Sequence, residues 1–302
     1  MYPIKFSDQE FIAWCESHKK LLHHTMECKL DLAKLPLGLS EAISYAVFSP
    51  GKRLRPLLCF ATGHSLQIEP EKTVEIATAL EYMHAYSLVH DDLPGMDNDT
   101  YRRSLPTTHI AYDHATAILV GDALQALAYE TILSSAHLSD VEKMACLNTL
   151  NRASGAGGMV SGQYLDWQKQ QNFPLAQNDI ANIHRLKTGL CLQAALTMPL
   201  HLKDIPLDSH YLSLVGELLG IAYQYLDDID DQELHGTLDN LDCPASCSPP
   251  KYFATALEKA QWLHSQAIKN LQQHGLDCST IIVRMVNLTL AASSTSQTRA
   301  VL

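Results

Sequence analysis

The sequence lacks the features that mark several common classes of protein. No stretch approaches the roughly 18 uninterrupted apolar residues of a membrane span. The N-terminus, MYPIKFSDQEF, has no apolar run of the kind found in secretory signals, so we expect a cytoplasmic protein. Positive charge is scarce, because 22 lysines and arginines oppose 33 aspartates and glutamates and leave a net charge of −11. Since phosphate contacts need a basic face, this balance argues against a nucleic-acid partner.

Motifs of nucleophilic and nucleotide-binding enzymes are missing as well. The sequence contains no GxSxG, no GxxxxGKS/T and no GxGxxG. The run GAGG at 155–158 has no strand before it, and we interpret it as a point of close packing within a helix. The eight cysteines are mostly scattered through apolar segments, which is typical of buried free thiols in a reducing compartment. Cys243 and Cys247 lie close together, but no second pair completes a zinc spacing.

Almost every segment of the chain has apolar residues at the period of an α-helix. Apolar residues make up 46% of the sequence, which is enough for a sizeable core. No run alternates as a half-buried strand does, and no βαβ rhythm occurs. We therefore predict an all-α fold of roughly ten helices in a single domain over residues 1–302. The predicted helices begin near Ser7, Ser40 and Glu71 and continue over His109–Ala136, Asp140–Trp167, Asn178–Leu200, Ser209–Asp231, Tyr252–His274 and Ser279–Ala292.

Carboxylates are concentrated at the end of the helix predicted from Glu71. The stretch HDDLPGMDNDTYRR, residues 90–103, places four aspartates within nine residues and ends in two arginines. The helix dipole disfavours negative charge at a C-terminus by roughly 0.3–1 kcal/mol per group. Aspartate and asparagine are also ordinary turn residues, so a solvated loop is one interpretation. The other interpretation is that an external cation neutralises the carboxylates.

A second acidic cluster, YQYLDDIDD at residues 223–231, repeats this arrangement at the end of another apolar helix. Asp227 and Asp231 are four residues apart and share one face of the helix, with Asp228 about 100° round it. If the two helices lie side by side, the carboxylates of both clusters face one cavity. Hard oxygen ligands of this kind suit Mg²⁺ bound together with substrate phosphate oxygens.

Basic residues are gathered near these clusters although the chain as a whole is acidic. GKRLRP at 51–56 contains three of them, Arg102 and Arg103 follow the first cluster, and KTG at 187–189 interrupts an apolar helix. Arginine forks and lysine charges bind phosphate oxygens, whereas each residue taken singly is equally well explained as a surface cation. His84 lies two turns before the first cluster on the same helical face, as either a core residue or a diphosphate partner. Together the two sets of charges indicate a metal-bound diphosphate.

In this order, the motifs resemble those of the polyprenyl diphosphate synthase family, the trans-prenyltransferases, and within it the bacterial farnesyl diphosphate synthases. The resemblance runs from about Ser40 to Asp231 and rests on GKRLRP, HAYSLVHDDLPGMDNDTYRR, LVGDAL, GQYLD, KTG and YQYLDDIDD. It implies a helical bundle around a central cavity, the isoprenoid synthase fold. In that cavity isopentenyl diphosphate is joined to dimethylallyl or geranyl diphosphate, giving a short-chain prenyl diphosphate. The resemblance also implies three Mg²⁺ ions per site and a homodimer.

The same resemblance assigns roles to individual residues. The metal ligands that it implies are Asp91, Asp92, Asp97, Asp227, Asp228 and Asp231. The residues that it implies for the allylic diphosphate are Arg102, Lys187, Thr188 and Gln224. Those for isopentenyl diphosphate are Lys52, Arg55, His84 and Arg103. The resemblance also implies that Gln163 and Asp166 complete the hydrogen-bond shell of the site. The residues that it makes catalytic are Asp91, Asp97, Arg102, Lys187 and Asp227.

Other parts of the sequence bear on the chain length of the product and on the rate of turnover. Tyr86 and Ser87 lie about one turn before Asp91, and the resemblance makes them the residues that limit the product to about fifteen carbons. The stretch after the second cluster, QELHGTLDNLDCPASCSPPKYF, contains no Gly-Lys pair, although the family usually has two there. Asp230 stands where the family has an apolar residue, and the C-terminal SSTSQTRAVL carries one basic residue. These departures concern closure of the site and the rate of turnover.

Other functions therefore stay open beside an active farnesyl diphosphate synthase. A geranylgeranyl diphosphate synthase has the same motifs. A weakly active binding or regulatory subunit is favoured by the altered loop and opposed by the intact acidic and arginine sets. A terpene cyclase shares the acidic clusters, but it needs no second diphosphate site, so Lys52, Arg55 and His84 argue against it.

Overall fold

The computed structural model of the chain describes residues 7–171, 182–203, 210–235, 265–270, 272–273 and 281–294. These residues form two compact units. One contains residues 8–151 and 198–203, and the other contains the described residues of 152–197 and 210–294. Helices dominate the described parts of both units, so the all-α prediction is confirmed. The prediction of a single domain stays a prediction.

A central helix supports the first unit. The helices in this part of the chain are α1 (Asp8–Leu32), α2 (Leu37–Val47), α3 (Leu54–Ser65), α4 (Pro70–Asp91), α5 (Thr108–Ala111), α6 (His114–Leu133) and α7 (Asp140–Ser154). A 3₁₀ turn, Met198–Leu202, also belongs to this unit. α4 packs against α1, α2, α3 and α6 and buries residues on all its sides. A helix that is enclosed all round belongs to a core. The surrounding helices therefore hold the C-terminal half of α4, which carries His84 and Asp91, rigidly in place.

A short hairpin follows the first acidic cluster. Strands Tyr101–Arg102 and Leu105–Pro106 pair antiparallel, and the two residues between them, Arg103 and Ser104, have φ values of 54° and 67°. Two successive residues with positive φ are typical of a type I′ turn, whose twist matches that of paired strands. The hydroxyl of Tyr45 donates to the carbonyl of Pro106 at 2.6 Å and ties the hairpin to α2. Strands of two residues are too short to produce the alternation that sequence analysis detects.

Close helix contacts organise the second unit, and glycines provide them. Its elements are α8 (Met159–Gln170), a π-helical turn (Arg185–Gly189) and the helices Leu190–Thr197, His210–His235 and Ile281–Ser294. A Cβ on Gly162 would lie 2.3 Å from the backbone nitrogen of Lys187, and one on Gly220 would lie 2.2 Å from Cα of Gly189. A Cβ on Gly216 would lie 2.4 Å from Cα of Gln193. The backbones therefore approach as closely as they do because these side chains are missing.

Several predicted helix boundaries are wrong. The run GAGG is not inside a helix, because α7 ends at Ser154 and α8 begins at Met159 with a turn between them. Consecutive glycines gain conformational freedom outside a helix, which favours the break. The predicted helix His109–Ala136 is divided where Asp113 accepts a hydrogen bond from the backbone nitrogen of Thr116 and caps α6. α3 was not predicted, since its residues are buried nearly all round and show no periodicity.

The remaining predicted helices differ in how much of them the structure describes. The helices predicted over Ser209–Asp231 and Ser279–Ala292 correspond to His210–His235 and Ile281–Ser294. Most of the predicted helix Tyr252–His274 lies outside the described residues, as does the beginning of Asn178–Leu200. By length and mean hydropathy, 1.2, α6 is the one described helix that would suit a membrane span. Since 44% of that stretch is buried within the protein, a core helix explains it equally well.

Candidate active site

The first acidic cluster folds into a tight turn at the C-terminal end of α4. α4 ends at Asp91, and the backbone nitrogen of Asp97 donates to the carbonyl of Asp91 at 2.9 Å. That bond closes the segment 91–97 on itself, so two carboxylate-bearing residues predicted as metal ligands sit at the two ends of one turn. Both residues are partly exposed. The turn therefore presents partly exposed hard oxygen donors at the C-terminal end of α4.

The third predicted ligand of this cluster, Asp92, already has a cationic partner. Its side chain is 5% exposed, and Oδ1 accepts from Nε of Arg102 at 2.7 Å and lies 2.6 Å from Nη2. The same guanidinium contacts Asp99 at 3.1 Å. Burial raises the pKa of Asp92, and the hydrogen bond from Arg102 opposes that shift. Burial acts to lower the pKa of Arg102, but the hydrogen bond to Asp92 and the negative charges of Asp92, Asp99 and Asp91 together raise that pKa overall, so the guanidinium keeps its charge.

Arginines surround His84, two turns before the acidic turn. Nη1 of Arg55 lies 3.3 Å from Nε2 of His84. Burial lowers the pKa of His84 well below its usual value, and the charges of Arg55, Arg103, Arg53 and Arg102 lower it further. The imidazole is therefore neutral at pH 7. A pocket of about 40 Å³ lies beside it, and its lining includes Arg53, Arg102 and Arg103. The lining also includes Glu81 and Asp92, which pair with Arg53 and Arg102. Arginines gathered this closely are of the kind that binds polyanions.

The loop between α2 and α3 is held by two arginines. Arg53 donates to the carbonyls of Val47 and Ser49, at 2.8 and 2.9 Å, and also bonds the carboxylate of Glu81. Nη1 of Arg103 donates to the carbonyl of Pro50 at 2.8 Å. A Cβ on Gly51 would lie 2.2 Å from that same Nη1, so the missing side chain leaves room for Arg103. Sequence reasoning did not single out Glu81, because a contact across 28 residues leaves no local pattern.

The second unit contains three residues expected around the allylic diphosphate, Lys187, Thr188 and Gln224, and two expected in the hydrogen-bond shell, Gln163 and Asp166. The prediction that KTG interrupts a helix is confirmed, because Arg185–Gly189 forms a π-helical turn, and such turns are frequent at functional sites. Nζ of Lys187 lies 2.6 Å from Oδ2 of Asp166. The hydroxyl of Thr188 donates to Oε1 of Gln224 at 2.9 Å. The cation of Lys187 and the hydroxyl of Thr188 thus occupy adjacent positions of this turn, and the hydroxyl is bonded to the amide of Gln224 on the helix His210–His235. Oε1 of Gln163 is buried and accepts no hydrogen bond from the described residues.

The second acidic cluster is described as backbone. Asp227, Asp228 and Asp231 lie in the last turns of the helix His210–His235, and their side chains lie outside the described residues. Within the part of the chain whose side chains are described, no three His, Cys, Asp or Glu residues converge as a metal site. The donor chemistry of the first cluster still fits Mg²⁺, because Asp91 and Asp97 offer carboxylate oxygens on one turn. The assignment of metal ligands stays a prediction.

The two residues predicted to limit chain length occupy α4 directly before the acidic turn. Tyr86 is 7% exposed, and its ring lies edge-on to that of His90 with 5.6 Å between their centroids. The hydroxyl of Ser87 donates to the carbonyl of His84 at 2.9 Å, within its own helix. The Tyr86 ring therefore fills space before the acidic turn, whereas the Ser87 hydroxyl is hydrogen-bonded within its own helix.

Comparison with known proteins shows which family, relatives and solved structures this chain is similar to. The family model described as polyprenyl synthetase matches residues 37–236. The farnesyl diphosphate synthase of Haemophilus influenzae is 39% identical over 250 residues, which are 79% of this chain and 84% of that protein. The farnesyl diphosphate synthase of Micrococcus luteus is 41% identical over 206 residues, 67% of this chain and 69% of that protein. Among solved structures, the geranyltransferase from Legionella pneumophila is 31% identical, with a TM-score of 0.85 over 95% of this chain and 99% of its own.

Proposed function

This chain belongs to the polyprenyl synthetase family, and we propose that it joins isopentenyl diphosphate head to tail to an allylic diphosphate and yields farnesyl diphosphate. Its allylic substrates are dimethylallyl and geranyl diphosphate. The relatives named farnesyl diphosphate synthases, at 39% and 41% identity, support this reaction. The protein is accordingly a short-chain prenyltransferase.

One observation carries the proposal. A neutral His84 sits among four arginines, and the acidic turn from Asp91 to Asp97 begins two helical turns later, where the same helix ends. Clustered cations fit a diphosphate bound directly by the protein, whereas clustered carboxylates fit a diphosphate bound through divalent ions. The two neighbouring groups of opposite charge therefore suit a reaction with two diphosphate substrates.

The cationic group serves isopentenyl diphosphate. Arg55 and Arg103 bind its oxygens with their forks, Lys52 adds a point charge, and His84 contributes a ring nitrogen without further charge. Because this diphosphate does not leave during the reaction, binding it directly keeps it in place. The site holds the double bond of isopentenyl diphosphate where it attacks the allylic carbon.

The allylic diphosphate must be stabilised as it leaves. Arg102, Lys187, Thr188 and Gln224 donate to its oxygens as charge develops on them. When bound, Mg²⁺, for which we propose three ions, supplies further neutralisation of the leaving group. The residues proposed to hold it are Asp91, Asp97 and Asp227, supported by Asp92, Asp228 and Asp231. The sequence motifs carry this part of the proposal.

The bond changes require no protein nucleophile. The C–O bond of the allylic diphosphate breaks, and the double bond of isopentenyl diphosphate supplies the electron pair of the new C–C bond. A proton is then lost from the new cation, and in this proposal the departing diphosphate accepts it. The role of the protein is to orient both substrates and to keep water from the allylic cation.

We also propose a cytoplasmic homodimer. α6 supports it, because Ile118, Leu119 and Leu133 are 46, 57 and 55% exposed along an otherwise apolar helix. Apolar residues gathered on one exposed face favour association. Light scattering after gel filtration tests the oligomeric state. A mass near 33.5 kDa, that of one chain, at micromolar protein concentration contradicts a dimer.

An assay with two substrates tests the function. Purified protein is incubated with Mg²⁺, dimethylallyl diphosphate and labelled isopentenyl diphosphate. We expect labelled farnesyl diphosphate as the main product. A twenty-carbon product indicates the geranylgeranyl alternative, and binding without turnover indicates a regulatory subunit. A cyclised hydrocarbon formed from the allylic substrate alone indicates a terpene cyclase.

A further inference from the structure

A buried ion pair joins α4 to the loop between α2 and α3. Arg53 in that loop bonds the carboxylate of Glu81, and their side chains are 12% and 3% exposed. The same guanidinium donates to the carbonyls of Val47 and Ser49. These three bonds hold the Arg53 side chain between the loop and α4. Its neighbours Lys52 and Arg55 are the residues proposed to meet isopentenyl diphosphate.

The backbone at Arg53 shows how strongly its position is determined. Its φ and ψ are 53° and 37°, the left-handed conformation that glycine adopts more readily than arginine. A residue keeps such a conformation when the surrounding contacts impose it. The imposing contacts are those of its own side chain with Glu81 and the two carbonyls. Because α3 begins at Leu54, this conformation also sets the direction in which α3 leaves the loop, with Arg55 in its first turn.

We propose that Glu81 is a positioning residue for the isopentenyl diphosphate site. It fixes Arg53, and Arg53 in turn fixes the loop that carries Lys52 and leads into the first turn of α3, where Arg55 lies. This inference rests on the proposed function. α4 contacts both arginines. Glu81 bonds Arg53, and the His84 ring, one turn later, lies 3.3 Å from Arg55.

The charge of Glu81 makes the proposal sharply testable. Glu81 lines the same pocket as His84, Arg102 and Arg103. If its carboxylate acted on the substrate directly, it would repel a diphosphate, and removing the charge would improve binding. If it acts through Arg53, removing the charge frees the loop and weakens binding. The two explanations therefore predict opposite changes in KM for isopentenyl diphosphate.

The chain offers a matched control on the same helix. Glu75 is buried, 6% exposed, and lies 2.8 Å from Nζ of Lys29 on α1. Glu75→Gln therefore removes a buried ion pair of α4, as Glu81→Gln does, without touching the loop of Arg53. Any effect common to both variants reflects the general loss of a buried charge pair.

Steady-state kinetics of Glu81→Gln, Glu81→Asp and Glu75→Gln test the proposal. We expect Glu81→Gln to raise KM for isopentenyl diphosphate at least tenfold, with KM for geranyl diphosphate and kcat within threefold of the wild type. Glu81→Asp keeps the charge and should recover part of the loss. Glu75→Gln should leave both KM values unchanged. A fall in KM for isopentenyl diphosphate in Glu81→Gln, or equal effects of the two glutamine variants, overturns the inference.

Hydrogen exchange gives a readout that does not depend on activity. Amides of residues 48–53 should exchange faster in Glu81→Gln than in the wild type, and in Glu75→Gln they should not. Equal exchange in this loop for all three proteins contradicts the inference even if none of them condenses the substrates. If instead the loop responds as expected while the wild type lacks condensation activity, the proposed function fails and the coupling of Glu81 to the loop stands.

Discussion

The guanidinium of Arg102 donates from Nε to Oδ1 of Asp92 at 2.7 Å, at the point where α4 gives way to the acidic turn. This bond places a cation inside a cluster of carboxylates. It links the hairpin, which carries Arg102 and Arg103, to the helix that carries Asp91. The first acidic cluster and the arginine that follows it on the hairpin are therefore joined directly.

Asp92→Asn should destabilise the fold, because the Arg102 side chain then loses its buried ionic partner. Breaking a buried pair costs about 3–5 kcal/mol, and we expect about 1–3 kcal/mol here, since the Arg102 side chain is 32% exposed and keeps its contact with Asp99. Urea denaturation measures the change. Asp99→Asn is the control, because its side chain is 48% exposed, and its loss should stay below about 1 kcal/mol. Equal losses for both variants contradict the account.

Gly51→Ala should weaken the binding of isopentenyl diphosphate without unfolding the protein. The new Cβ would lie 2.2 Å from Nη1 of Arg103, and the end of that flexible side chain must move away. Losing a hydrogen bond to a charged group costs about 1.5–3 kcal/mol, which corresponds to a rise in KM of roughly 10- to 100-fold. Gly38→Ala is the matched control, because nothing lies within 4 Å of a Cβ there. If both variants keep the KM of the wild type, Arg103 does not bind this substrate.

Stability should fall as the pH falls below about 6.5, in part because of two histidines packed on Trp14. The ring centroids of His18 and His64 lie 4.0 and 6.1 Å from that of Trp14. Burial lowers the pKa of both histidines from 6.5, and in His18 it outweighs a hydrogen bond with the carbonyl of Trp14. The unfolded chain then binds more protons than the folded one below pH 6.5, so protonation favours unfolding.

Denaturation curves at pH 7.5 and 5.5 measure this dependence. The double variant His18→Gln/His64→Gln should lose less stability between the two pH values than the wild type does. His137→Gln provides a control at an exposed histidine. The same loss of stability in the wild type and the double variant shows that these two histidines do not titrate as described.

Tyr86→Ala should lengthen the product. Tyr86 is 7% exposed and precedes the acidic turn by about one helical turn, so replacing its ring with a methyl group removes volume next to Asp91. We expect products of twenty carbons or more to increase at the expense of fifteen. Ser87→Ala serves for comparison, because the Ser87 hydroxyl bonds its own helix and adds little volume. An unchanged product spectrum in Tyr86→Ala excludes this residue as the limit on chain length.

The sequence predicts those parts of the site that local spacing encodes. The end of α4 within the first acidic cluster and the interruption at Lys187 both follow from short runs of residues, although α4 ends at Asp91, two residues before the predicted end at Leu93. The Arg53–Glu81 pair could not be predicted, because it depends on how α4 packs against the loop rather than on any spacing. The close packing expected of GAGG occurs instead at Gly162, where α8 meets the π-helical turn. A single glycine facing another backbone leaves no motif that could locate it.

Product analysis with geranyl diphosphate and labelled isopentenyl diphosphate, in the presence of Mg²⁺, tests the central claim most directly. It compares the wild type with Asp91→Asn and Asp227→Asn, one variant from each acidic cluster. We predict one inorganic diphosphate released for each labelled fifteen-carbon product, and a loss of roughly 100-fold or more in either variant. No labelled fifteen-carbon product from the wild type, or wild-type rates in either variant, contradicts the claim that both clusters serve this condensation.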